Sequence, residues 1–104
     1  MEKYINGKGE VGVLVSSGYG AGWSTWGDAQ EFLSMDKTLV EMCLQGKDED
    51  EVETYLVSKG YDEEYLGGWS DCSVEYLQRG TAFLISEHDG SETLETSEIL
   101  TLVA

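Results

Sequence analysis

The sequence has no proline, and its 104 residues include only two cysteines, one histidine and six lysines and arginines. Without proline there is no X-Pro bond to take the cis form and no ring to break a helix, so punctuation falls to glycine. Cys43 and Cys72 lie in different segments without C-x-x-C spacing. Neither a disulfide framework nor a zinc knuckle is supported, and two reduced thiols are expected. No apolar run approaches the ~18 residues that would cross a bilayer, and residues 1–7 lack the apolar stretch of a signal peptide. The expectation is a cytoplasmic protein that does not engage a membrane.

The scarcity of cations is set against twenty-one aspartates and glutamates, a formal net charge of -15. That density repels phosphate backbones and anionic lipid, which disfavours direct nucleic-acid binding. Acidity of this kind either keeps a small protein soluble or imitates the phosphate array that a DNA-binding protein expects. The acids cluster at Asp48, Glu49, Asp50, Glu51 and Glu53, and again at Asp62, Glu63 and Glu64. The composition is 40% apolar, enough to fold, and the length fits one domain over 1–104.

Along the chain, Glu-Val-Gly-Val-Leu-Val-Ser-Ser over 10–17 is β-branched, strand-length and bounded by glycines, and predicts a central strand. A glycine-rich segment over 18–27 follows, carrying Tyr19, Trp23 and Trp26. Asp28 with Glu31 fits a capping box, and Phe32, Met35, Leu39, Val40, Met42 and Cys43 recur at helical spacing before Gly46. Helix one is therefore expected over 29–45, with a break near Ser34 if Asp36 restarts it. Asp48 with Glu51 signals a second helix that carries Val52, Tyr55 and Leu56 and stops at Gly60, its acidic first turn suited to the macrodipole. Residues 61–71 have neither period and read as an aromatic loop around Gly67-Gly68-Trp69. Cys72, Val74 and Tyr76 alternate with Ser73, Glu75 and Leu77 as a second strand, and residues 82–87 form a third. Asp89-Gly90 supplies a type I′ hairpin turn into a strand over 92–96, and 99–103 adds a fifth. The expected fold is α+β: one small antiparallel or mixed sheet of four to five strands, with two helices inserted after the first strand and packed on one face.

The glycine segment is the best candidate site, because it follows a strand and enters a helix N-terminus where free N–H groups favour an anion. Gly20 and Gly22 would let backbone approach a phosphate, Ser24 and Thr25 would donate hydroxyls, and Tyr19, Trp23, Trp26 and Trp69 would stack on a base or form walls. Arg79 is a candidate phosphate partner. The pattern is neither a dinucleotide fingerprint nor a P-loop. Its structural alternative is a tight turn beneath core tryptophans. Catalysis has less to stand on: His88 sits in a hairpin turn, no spacing defines a triad, Cys72 has no electropositive neighbour and Cys43 falls on the apolar stripe. No cofactor and no metal are implied.

Taken together, the segments Glu10 to Ser16, Gly20-Ala21-Gly22-Trp23-Ser24-Thr25-Trp26, Gly67-Gly68-Trp69, Val74-Glu75-Tyr76-Leu77, Gly80-Thr81-Ala82-Phe83 and Asp89-Gly90-Ser91-Glu92 resemble a family of small uncharacterised proteins of tailed phages and prophages. The resemblance covers most of the chain and implies a setting, the host cell cytoplasm, without a reaction. In that setting the first expectation is an anti-defence protein that sequesters a small nucleotide immune signal without catalysis, through the residues of the glycine segment. The alternative is a DNA-mimic-like inhibitor that presents Asp48 to Glu53 and Asp62 to Glu64 to a host nuclease or DNA-binding protein. A further alternative is a virion-associated structural protein. A self-complementary sheet or helix face would make a homodimer that brings two glycine loops near one interface.

Overall fold

Val11, Val13 and Val15 alternate with Gly12 and Leu14 along β1 (Glu10–Ser16), and in the computed structural model every residue from Val11 to Ser16 is buried. The structure describes residues 1–18, 22–26, 29–61, 66–96 and 102–104, with the backbone only of Trp26. A strand buried on both faces needs cover on both, which accounts for the unbroken apolar run in its sequence. The odd residues Val11, Val13 and Val15 join Met35, Phe83, Ile85 and Leu102 in one core. On the even face, Leu14 joins Trp23, Leu33, Leu39, Val40, Val52, Leu56 and Trp69 in a second. β1 is thus the middle layer of the molecule.

The chain is α+β, but its strands are divided between two antiparallel sheets where one was expected. β1 pairs with β2 (Cys72–Gln78) from Glu10↔Gln78 to Ser16↔Cys72. β3 (Ala82–His88) lies between β4 (Ser91–Thr96) and the short β5 (Leu102–Val103). The expected fifth strand over 99–103 falls partly outside the described residues. The hairpin turn is as the sequence implies, with Asp89 at φ 52° and Gly90 at φ 87°. The second sheet lies on the odd face of β1; helical residues 39, 40, 52 and 56 pack on the even face, and the helix before them sends Leu33 to the even-face core and Met35 to the odd-face core.

The single helix expected over 29–45 is two, α1 (Gln30–Met35) and α2 (Lys37–Leu44). Asp36 separates them in an extended conformation, ψ 129°, where it bridges Lys3 and caps α2 by accepting from the Leu39 N–H at 3.2 Å. The break has a long-range cause. The Lys37 N–H, which would continue α1 by bonding Leu33, donates instead to the Glu2 carbonyl at 2.7 Å. Asp28, expected to cap this helix, lies outside the described residues. α3 (Glu49–Ser58) starts as the sequence implies, with the Asp48 carboxylate accepting from the Glu51 N–H at 2.9 Å. Val52 and Leu56 are its buried stripe. No helix among the described residues is long and apolar enough to cross a membrane.

Gly12 marks where the layers come closest. A Cβ there would sit 3.0 Å from Val40 Cγ1, 3.1 Å from Val74 Cγ1 and 3.2 Å from Tyr4 Cδ1. Gly12→Ala is therefore expected to destabilise the fold by about 1–3 kcal/mol in urea denaturation. Gly7→Ala, with nothing within 4 Å of the added carbon, should stay within about 0.5 kcal/mol. Equal losses would show that packing at β1 is not the cause.

Candidate functional site

The segment after β1 does gather donors around an anion, and that anion belongs to the protein. Glu92, on β4, is 3% exposed. Its Oε1 accepts from the Ser16 N–H at 3.0 Å; its Oε2 accepts from the Trp23 N–H at 2.8 Å, the Thr25 N–H at 3.0 Å and the Thr25 hydroxyl at 2.5 Å. A carboxylate taken out of water needs such replacement donors, and charge-assisted bonds are among the strongest available. Ser91 adds a second tie, its hydroxyl donating to the Ser17 carbonyl at 3.0 Å. Of the donors that the sequence suggested for a phosphate, the Trp23 and Thr25 N–H groups and the Thr25 hydroxyl are engaged with a side chain from the second sheet.

Two aromatic residues of the expected site, Trp23 and Trp69, take the core alternative. Trp23 is fully buried and Trp69 is 6% exposed, their rings 5.3 Å apart and tilted by 57°. Each indole N–H is matched. Trp23 donates at 2.7 Å to the Leu33 carbonyl, the one released when Lys37 turned away from α1. Trp69 donates at 2.8 Å to the Lys47 carbonyl between α2 and α3. Gly22 and Gly68 bring their segments together, since a Cβ at Gly68 would strike the Gly22 carbonyl oxygen. Ser24, between the two residues that hold Glu92, is fully buried and its hydroxyl has no hydrogen-bond partner.

The remaining expected residues separate. Tyr19, Gly20 and the Trp26 side chain lie outside the described residues, as do Asp62, Glu63 and Glu64. Arg79 is exposed beyond β2 and lines a cleft with Glu2, Lys3 and Ile5, away from the residues that hold Glu92. Asp48, Glu49, Asp50 and Glu53 are all exposed at the start of α3. Among the described residues only Asp36 and Glu92 are buried acids.

Glu92 was legible in one respect: it shares a strand face with Leu94, which packs against the core containing Phe83. Its alternation therefore pointed inward. No residue pattern marks a second grouping, the cleft of about 440 Å³ lined by Phe32, Asp36, Lys37, Tyr55, Lys59 and Tyr61 among others. There Phe32 and Tyr61 stack at 4.5 Å, and the Tyr55 hydroxyl donates to Asp36 Oδ2 at 2.6 Å.

Neither thiol is prepared for nucleophilic chemistry. Burial raises the pKa of both, and Cys72 is pushed up further by Cys43, Glu92 and Asp71. A protonated thiol is a poor nucleophile. His88 is exposed, 3.5 Å from Asp89 in the hairpin. No cluster of three or more His, Cys, Asp or Glu among the described residues is placed to hold a metal ion. Comparison of the chain with protein-family models, curated proteins and solved structures finds no match.

Glu92→Ala would leave the N–H groups of Ser16, Trp23 and Thr25 buried without an acceptor, an expected loss of about 3 kcal/mol or more in urea denaturation. Glu92→Gln keeps one acceptor oxygen and should lose less. A loss below about 1 kcal/mol for the alanine variant would mean that water replaces the carboxylate readily. Tyr55 gives a pH signature, its phenol pushed up to about 12 by burial and then by the bond to Asp36. Because the folded state holds this proton more tightly, its stabilisation is present below about pH 10. It is lost as pH rises through about 12. Ultraviolet titration should show a late phenol that Tyr55→Phe removes.

Proposed function

We propose that the protein acts by binding, and that it presents its exposed carboxylates to a basic groove on a nuclease or another DNA-binding protein. The observation that carries this reading is the distribution of charge. Twelve of the sixteen described acids are exposed, and α3 and its cap display Asp48, Glu49, Asp50, Glu51 and Glu53 while turning only Val52 and Leu56 fully inward. Lys47 answers one of them, Nζ to Glu51 Oε2 at 3.5 Å. The rest of this face has a charge density that favours a cationic partner and steers its approach. In the phage setting that the sequence resembles, such a partner is a host defence enzyme.

Sequestration of a nucleotide by the 20–25 segment is the weaker reading. A phosphate would have to displace Glu92 from four hydrogen bonds, and Trp23 would have to leave the core. A thermal-shift panel of mono-, di- and cyclic nucleotides addresses it directly. Ligand at 100 times its dissociation constant would add about 2.7 kcal/mol of stability, and no shift is expected from the wild-type segment.

The charge reading is tested by titrating the protein against DNA cleavage by bacterial nucleases at increasing sodium chloride. Inhibition should weaken steeply with salt, and Asp50→Lys with Glu53→Lys should reduce it by at least about tenfold while circular dichroism stays unchanged. Asp48 is left intact because it caps α3, and losing the cap would itself cost about 1 kcal/mol. Inhibition that ignores both salt and charge reversal would sink the proposal.

A further inference from the structure

β2 has one partner. Its other edge has no strand partner among the described residues, and the register with β1 identifies which of its backbone groups face outward. The Gly12 N–H donates to the Tyr4 carbonyl at 3.0 Å, the Glu10 carbonyl accepts from the Asn6 N–H at 3.0 Å, and the Ser16 N–H turns to Glu92. The even residues of β1 therefore point their backbone groups away from β2. In an antiparallel pair, opposed residues either both face each other or both face away. The residues opposed to Gly12, Leu14 and Glu10 are Tyr76, Val74 and Gln78. Their N–H and C=O groups consequently lie along the outer edge. The Gln78 carbonyl takes the Thr81 N–H at 3.1 Å in the following turn. Those of Val74 and Tyr76 have no partner among the described residues, whereas the Cys72 carbonyl on the same edge accepts from the Cys43 thiol at 3.5 Å.

The side chains along this edge are sorted by face. Tyr76, 37% exposed, and Val74 stand on the helix side, while Ser73 and Glu75 stand exposed on the other. At the start of the strand, Asp71 is exposed, and a cleft of about 330 Å³ between β2 and the start of α3 is lined by Asp48, Glu49, Trp69 and Cys72. The Asp71 carboxylate lies against Gly18 on the β1 side, so three carboxylates, Glu75, Asp48 and Glu49, flank the edge. Of the nearby cations, Lys47 is drawn to Glu51 and Arg79 lies past the end of the strand.

We propose that an extended segment of the basic partner adds to this edge as an antiparallel strand, which rests on the charge reading given above and names the form in which the partner binds. The register specifies the segment. Directly opposed residues share a sheet face, so residues that exchange hydrogen bonds with Val74 and Tyr76 carry apolar side chains, and the residues between them carry lysine or arginine opposite Glu75. Backbone pairing supplies affinity and the alternating side chains supply selectivity, as in other strand additions. A second copy of this chain fits less well, because it would bring another net charge of -15 to the same edge.

The test uses the full chain, labelled with nitrogen-15, and a short acetylated and amidated peptide in which valine and lysine alternate. Amide shifts should concentrate at Val74, Tyr76 and Gln78. Methylating the valine backbone nitrogens should weaken binding by at least about tenfold, whereas methylating the lysine backbone nitrogens should change it by less than about twofold. Sensitivity to both patterns or to neither overturns the edge proposal, as does no binding at about 1 mM peptide. Binding that falls with salt but ignores the methylation pattern would remove the edge and leave the charge reading standing. Nuclease inhibition that ignores salt would remove the charge reading itself.

Discussion

The capture of the Glu92 carboxylate by the end of β1 and the segment after it is the constraint on which the rest of the molecule is arranged. A buried carboxylate with neutral donors is tolerable only where several of them converge, and here they come from three successive stretches: the last strand residue, the entry of Trp23 and the turn at Thr25. Fixing the Trp23 backbone aims its indole at the carbonyl that α1 leaves open, and the ring then meets Trp69. One side chain of the second sheet thereby orders the core on the opposite face of the first.

What could be read in the sequence was local. The strand at Glu10–Ser16, the Asp48 cap and the Asp89-Gly90 turn each depend on neighbours a few residues away, and each has a residue type suited to it. The division of one expected helix into α1 and α2 depends on Glu2 and Lys3, remote in sequence, so Asp36 signalled only that a restart was available. The same limit applies to the glycine segment. Its glycines and donors did suit an anion, but composition does not say whether that anion arrives from solvent or from β4. Likewise, Trp23 and Trp69 offer the same chemistry to a ligand or to each other, and only the matching of both indoles to main-chain carbonyls separates the two.

The net charge and the buried carboxylates are independent features. Asp36 and Glu92 organise the interior through hydrogen bonds, whereas the acids of α3 do nothing for the core beyond favouring its first helical turn. Packing does not account for so many of them on one helix end. Their mutual repulsion is offset in part by the loose pair of Lys47 with Glu51 at 3.5 Å, which solvent screens.

Because β1 lies between two cores, the order of synthesis carries a kinetic consequence. The most apolar strand leaves the ribosome well before β2, which pairs with it over its full length, and before β4, which brings Glu92. Until the helices and both later strands have followed, it has neither a complete hydrogen-bond ladder nor cover on its second face. Contacts so distant in sequence slow folding, and an unpaired β-branched strand is the species most prone to associate with others like it. Gly12, the third residue of that strand, interrupts the valine and leucine run and lowers its strand propensity during the interval. The dense surface acidity keeps nascent chains apart over the same period.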